Sequence, residues 1–300
     1  MECIITSKEY THKKRIEAIK RLCNKYEFIK PFIIGKSCLG KDIYGLKIGV
    51  SDSYALITAG THGSERITST ILLMFVEQLC RAFKMDGSIE GLNVRRGMLG
   101  RGVIFVPCVN PDGCDISLLG TAACGDKSEY IYNLCRGNFN KWNANFRGVD
   151  INHNFDAGWQ ELRQKETELG IVGPAPTRYG GCKPHSEPET TALVKLCQKI
   201  DVRHVTALHT QGEVIYWSYG DIIPPKSRKM AEIMATTSGY ALDVPLSIAT
   251  GGGFKDWFIK EFNRPGFTVE IGKGENPLPA NDAFRLYKSI RELLLLTCIM

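Results

Sequence analysis

No apolar run in these 300 residues approaches the ~18 that a membrane-spanning helix needs. The longest candidate, "LLLLTCIM" at the C-terminal end, suits a buried terminal helix instead. Cysteines at CxxC spacing are also missing. The eleven present are scattered, a pattern that signals neither a disulfide framework nor a zinc ribbon. Lysine and arginine never gather into a basic block. The net charge of +6 therefore argues against nucleic acid and supports no more than a mild attraction to anionic substrates. The opening "MECIITSKEYTHKKRIEAIKRLC" lacks the basic, apolar, small-residue order of a secretory signal. Together with unpaired thiols this gives the expectation of a cytoplasmic protein with no membrane partner. Internal repeats, low-complexity tracts and Pro/Ser linkers are absent too.

The chain does have 43% hydrophobic residues, enough for one large core or two modest ones. Residues 7 to 26 place Ile16, Ile19, Leu22 and Tyr26 among charges at helical spacing. We read residues 1–30 as an N-terminal amphipathic helix packed on a main domain formed by residues 31–300. "FIIGKSCLGKDIYGLKIGV" reads as two short strands around a Gly-containing turn, "YALITAG" as a buried strand, and "RITSTILLMFVEQLCRAFK" as a long helix. "GVIFVPCVN" reads as a further strand closed by a turn at "NPDG", and residues 114 to 147 as an irregular surface excursion. "GVDIN" reads as a strand, as do "VRHVTALHT" and "GFTVEIG". Ser186, Pro188 and Glu189 fit a capping box that opens a helix. Strands alternating with helices imply a layered α/β fold in a single domain.

Six histidines are few enough to weigh one by one. His12 falls on a charged helix, where exposure is expected, and His204 opens a strand and is expected at its edge; His185 sits in a loop with no distinguishing context. His62 and Glu65 form "THGSE" directly after a strand and at the mouth of a helix. His209 ends another strand. In open α/β sheets the ligand crevice lies beyond the carboxyl ends of the strands. Two imidazoles and a carboxylate there match the three protein ligands of a catalytic zinc, with space left for water. Glu270 ends the buried run "GFTVE", where burial raises a carboxyl pKa toward the range of a general base.

Taken together, these motifs resemble the zinc carboxypeptidases of the M14 type, over roughly residues 30 to 290. The blocks "IGKSCLGKDIYGLKIG", "VPCVNPDGCDI", "HTQGEVIYW" and "GGGFKDWFI" are similar to bacterial γ-D-glutamyl-meso-diaminopimelate peptidases, which cut peptidoglycan stem peptides. The resemblance implies a mixed, largely parallel central sheet flanked by helices, with residues 31–300 as the catalytic domain. It implies one zinc per chain on His62, Glu65 and His209, Glu270 as general base and then acid, and Asp150 behind His62. On the strand reading of "GVDIN", Asp150 and Asn152 share a face.

Three departures from the family pattern stand out. Asn152 and His153 occupy the place of an Asn-Arg pair that grips a terminal carboxylate, so the demand for that carboxylate is expected to relax. The stretch "VPLSIAT" lacks the family's substrate-capping tyrosine. The arginine that stabilises the oxyanion has no secure match; Lys141 is favoured, with Arg147 second. Lys255 falls at the position that floors the side-chain pocket, where a cation selects a carboxylate-tipped side chain. The expected substrate is a peptidoglycan-derived peptide cut between γ-D-Glu and meso-diaminopimelate. Alternatives are a metallocarboxypeptidase removing acidic C-terminal residues, an N-acyl amino-acid deacylase, and a peptide-binding module without turnover.

Overall fold

The computed structural model describes residues 3–243 and 250–300. Thr11 caps the first helix by accepting from the Lys14 amide, so α1 begins at His12 (His12–Lys25), later than the periodicity suggests. Its apolar stripe, Ala18, Ile19 and Leu22, is buried against the main body. Then come the hairpin strands β1 (Lys30–Lys36) and β2 (Asp42–Ile48), β3 (Tyr54–Thr58) and α2 (Ile67–Lys84). A two-residue pair, β4 (Ser88–Ile89) and β5 (Leu92–Asn93), leads through α3 (Val94–Gly97) to β6 (Gly102–Val106). Helices α4 (Pro111–Leu119), α5 (Ser128–Cys135), α6 (Trp159–Glu168) and α7 (Pro188–Lys199) precede β7 (Val202–His209) and β8 (Val214–Tyr216). The chain closes with α8 (Ser227–Ser238), β9 (Ala241–Asp243), α9 (Phe254–Phe262), β10 (Gly266–Glu270) and α10 (Ala283–Ile299).

Among the described residues, eight strands form one sheet in the order β1-β2-β6-β3-β7-β10-β8-β9. The four central strands β6, β3, β7 and β10 run parallel, and both flanks are reached through antiparallel pairs. Parallel strands need helices on both faces, and their sequences read as continuous apolar runs for that reason. One face carries a core built with α1, α2, α8 and α10; Leu286, Ile290, Leu293 and Leu294 of α10 are fully covered there. Full burial of each such side chain contributes about 1.5–3 kcal/mol. The other face packs against α7 and α9, through Leu193, Leu196, Trp257 and Phe258. The single-domain α/β fold with a mostly parallel central sheet is as expected. Among the described residues, no helix is long and apolar enough to cross a membrane.

Several local readings change. "GVDIN" is not a strand: Asp150 caps a short 3-10 turn, Ile151–His153, by accepting from the Asn152 amide, so strand alternation does not set where these side chains point. "NPDG" is not a turn but the start of α4, with Asn110 as N-cap and Pro111 in the first turn. Residues 114 to 147 hold α4, α5 and short 3-10 turns around a small cluster that includes Trp142, Ile116 and Ile131. The box at "SEPE" does not form. Glu187 is the N-cap of α7, while Ser186 bonds its side chain and Asn154. His204 lies inside the sheet and is buried, its Nε2 2.9 Å from the Thr297 carbonyl oxygen. Burial, then the Arg203 charge, pushes its pKa down to about 3. His12 is half-buried, and burial likewise lowers its pKa, to about 4.

Candidate metal centre

Three parallel strands deliver the site. β3 runs out into Ala59-Gly60-Thr61, after which His62 caps the 3-10 turn Gly63–Glu65. β7 ends on His209 and β10 ends on Glu270, and these two residues are register partners. The turn at Gly63 is held close to α4. A Cβ at Gly63 would lie 2.3 Å from the Gly113 carbonyl oxygen and 2.5 Å from that of Trp142, so only glycine fits.

The side chains of His62, Glu65 and His209 converge, with one donor atom from each within 4.8 Å of the others. His62 Nδ1 lies 2.9 Å from Glu65 Oε1, and His209 Nδ1 lies 3.0 Å from Glu65 Oε2. The two Nδ1 atoms face each other at 3.3 Å. Two ring nitrogens and a carboxylate turned on one point are the donor set zinc prefers, and their mutual approach asks for a shared cation. His62 Nε2 is 3.0 Å from Asp150 Oδ1. Asp150 is buried and also accepts from the amides of Asn152 and Arg178, at 3.1 and 2.9 Å. It fixes which His62 nitrogen turns to the centre.

Charge in this cluster follows from contact. Burial works against a charged His62, but Glu65 and Asp150 outweigh it and hold the imidazole well above its ordinary range. Burial likewise opposes ionisation of Glu65, and the two histidines overcome it, bringing the carboxyl to about 2. Asp150 is held lower still, with His62 and His153 overriding burial. Glu270 goes the other way. Burial first, then the Glu65 carboxylate, raises it well above the usual range, against the pull of His62. Two neighbouring carboxylates are thus driven apart, one held ionised and one biased toward its protonated form, as a metal ligand and an acid–base group would need.

The remaining residues singled out from sequence fall in varied places. Asn152 Oδ1 accepts the Phe254 amide at 3.1 Å, tying the Asp150 turn to the start of α9. His153 is not open to its surroundings on both ring nitrogens. Nδ1 is 2.7 Å from Glu166 Oε1, and Glu166 is fully buried and also takes Arg163 and the Gly180 amide. Lys255 is buried, and its ammonium is already paired, with Asp256 and with the Ser218 carbonyl at 2.5 Å. Asp256 Oδ2 accepts the Gly251 amide at 2.9 Å. Arg147 is exposed and turns to Glu187, at 3.6 Å. Lys141 is exposed, ends a 3-10 turn (Phe139–Lys141) packed against the His62–Glu65 turn, and forms no ion pair among the described residues. Residues 244–249 of "VPLSIAT" lie outside the described residues. Sequence reasoning missed Glu166 and Arg178. Glu166 sits in the stretch of mixed charge "WQELRQKETE", which carries no signal for a buried carboxylate, and Arg178 reaches Asp150 through its backbone amide, which side-chain patterns do not signal.

A family model described as zinc carboxypeptidase, peptidase M14, matches residues 16–290. Gamma-D-glutamyl-L-diamino acid endopeptidase 1 of Lysinibacillus sphaericus is 35% identical over 282 residues, covering 93% of this chain and 69% of that protein. Murein peptide amidase A of Escherichia coli (strain K12) is 28% identical over 259 residues, covering 84% of each. Among solved structures, that of thrombin activatable fibrinolysis inhibitor aligns with a TM-score of 0.75 over 98% of this chain and 74% of that one; at 18% identity this likeness speaks for the fold alone. With its strand-end donor set and a family match that spans nearly its whole length, the chain belongs to the zinc carboxypeptidase family and is a zinc metallopeptidase.

Proposed function

We propose that this enzyme hydrolyses the γ-D-glutamyl–meso-diaminopimelate bond of peptidoglycan stem peptides, with His62, Glu65 and His209 holding the zinc. The observation that carries the reaction is the register pairing of Glu270 with His209, which sets a high-pKa carboxyl beside the donor set. Zinc at such a site supplies Lewis acidity that brings the pKa of water toward neutrality. Glu270 takes the proton of the attacking water and returns it to the leaving amine. Asp150 keeps the His62 ring oriented throughout. Lys141, beside the ligand turn and without an ion-pair partner among the described residues, supplies positive charge where the oxyanion develops.

The substrate class rests on two supports. The Lysinibacillus relative is named for a γ-D-glutamyl–diamino acid bond. If Lys255 floors the side-chain pocket as the resemblance implies, its buried pairing with Asp256 bears on what that pocket selects. A lone buried cation would seek a lone carboxylate, whereas a paired cation and anion complement a group carrying both charges. The far end of meso-diaminopimelate carries a carboxylate and an amine. Asn152, which bonds the first turn of α9, links that pair to the metal turn. His153, anchored by Glu166, retains one ring nitrogen for substrate where an arginine would present a fork.

The test is incubation of the zinc-loaded protein with L-Ala-γ-D-Glu-meso-diaminopimelate, with and without a following D-Ala, and identification of products by mass. Release of L-Ala-D-Glu from both is expected. Release of D-Ala alone, or cleavage only of peptides ending in Asp or Glu, would replace this reading with an ordinary carboxypeptidase.

A further inference from the structure

All eleven cysteines are free thiols, and two of them touch. Cys108, just past β6, and Cys114, in α4, are both buried, with their sulfurs hydrogen-bonded at 3.7 Å. Both thiols reach the Gly60 carbonyl, each at 3.9 Å. Beside them lies Arg15 of α1, which is buried without a carboxylate partner among the described residues. Its Nε donates to Ser69 Oγ and its Nη2 to the Tyr10 carbonyl, while Nη1 has no partner among the described residues. Arg15 and Cys108 line the same small crevice, which also includes His12 and Asp42. A buried guanidinium with an idle donor is costly unless an anion forms near it.

We propose that Cys108 and Cys114 are a site of reversible oxidation by hydroperoxides, closing to a disulfide that loosens the segment holding His62. The Cys108 thiolate attacks a peroxide oxygen and the O–O bond breaks, so that sulfur is oxidised to a sulfenic acid and hydroxide leaves, which becomes water on taking up the proton that Cys108 had released. The sulfur of Cys114 then attacks the sulfenic sulfur, forming the S–S bond and expelling hydroxide. That hydroxide takes the Cys114 proton as a second water. The net change is two thiols and one hydrogen peroxide to one disulfide and two waters.

The crevice electrostatics support Cys108 as the attacking sulfur. Burial alone raises its pKa, but the hydrogen bond shared with Cys114 and the Arg15 charge bring it below the ordinary thiol value. For Cys114, the shared hydrogen bond and burial push the pKa well up, as suits a partner that keeps its proton until attacked.

The coupling to the metal turn is steric. A disulfide sets the sulfurs at about 2.05 Å, so the 3.7 Å pair must contract by about 1.7 Å. The Gly60 carbonyl then loses both S–H contacts, keeping only the Asn110 amide at 2.9 Å. Any shift of α4 also reaches Gly63, for which Gly113 leaves no room, and Asn110, whose Nδ2 holds the Thr61 carbonyl at 3.0 Å. Two of the three candidate ligands, His62 and Glu65, sit on this segment, while His209 ends β7.

The test uses zinc-loaded protein and graded hydrogen peroxide, followed by alkylation, trypsin and mass spectrometry. The peptide 102–127 contains Cys108, Cys114 and Cys124. Oxidation should lower its mass by two hydrogens, with Cys124 alone alkylated, and dithiothreitol should reverse the change. Zinc transfer to a chromogenic chelator should be favoured ~10–100-fold in the oxidised form, the usual range when outer contacts of a ligand are disturbed. Cys114→Ser should give no disulfide and should leave a dimedone-trappable sulfenic acid at Cys108; Cys108→Ala should give neither and should retain its zinc under peroxide. Both thiols still alkylated after peroxide, with oxidation confined to Cys3 or Cys182, would overturn the site. A disulfide that leaves zinc retention unchanged would overturn the coupling. Neither readout involves a substrate, so they stand or fall separately from the proposed hydrolytic function.

Discussion

Glu65 and Glu270 are the same residue type in one cluster, yet their surroundings give them opposite assignments. Glu65 is drawn to about 2 by two imidazoles, while Glu270 is pushed up by burial and by Glu65 itself. Glu270→Gln should therefore retain the metal, measured by elemental analysis, and lose ~10²–10⁴-fold in kcat, the span ascribed to a positioned acid–base group. A variant within tenfold of wild type would remove Glu270 from proton transfer. That these residues would meet was legible from sequence because HxxE, a distant His and a strand-end Glu are chemically unusual in combination. His153 was only half legible. Its environment is made by Glu166, and nothing in a helix of mixed charges distinguishes the one carboxylate that turns inward. Glu166→Ala would strand His153 and Arg163 together. Breaking a buried pair costs about 3–5 kcal/mol, so urea unfolding should show a loss of that order; a loss below ~1 kcal/mol would mean the pair is idle.

At the level of elements, the central strands and long helices were readable because parallel strands buried on two faces are apolar throughout. Misreadings fell where side chains bond their own backbone. Asp150 and Asn110 both turn the chain into a helical start, by capping, where alternation and turn composition suggested otherwise. His204 shows the same limit. One histidine at the start of an apolar run gives no hint that α10 will cover it and accept its proton through the Thr297 carbonyl. That burial has a pH consequence with a definite sign. The unfolded chain takes a proton at His204 near pH 6.5, while the folded chain resists until about 3. Stability from this group is thus complete above pH 6.5 and falls as pH drops toward 3, by about 1.4 kcal/mol per unit. Between pH 6.5 and 5 wild type should lose about 2 kcal/mol that His204→Gln does not lose, read as the difference in urea midpoints. Parallel pH profiles for the two proteins would contradict the assignment.

On the scale of the whole molecule, strand order decides that the site exists at all. β3 and β10 flank β7 in the sheet, so residues 62, 209 and 270 meet only because a segment of more than a hundred residues crosses between the first two strands and returns beside β3. No local pattern encodes that adjacency; strand-end placement and the resemblance both suggested it, and the assembled sheet provides the geometry. On the proposed ligand set, a cation held by His62, Glu65 and His209 would join the ends of β3 and β7 in the native state and would have no such site in the unfolded chain. Metal binding must therefore appear as folding stability. With free zinc at about 1,000 times its dissociation constant the gain is about 4 kcal/mol. An unfolding entropy of about 2.1 cal/mol/K per residue over this chain converts that to roughly 6–7 °C in Tm. Chelation should lower Tm by that amount and restored zinc should recover it, while His209→Ala should start low and respond to neither treatment. If wild type and His209→Ala shift equally under chelator, the stabilising metal sits elsewhere and the convergence of the three side chains is not its binding site.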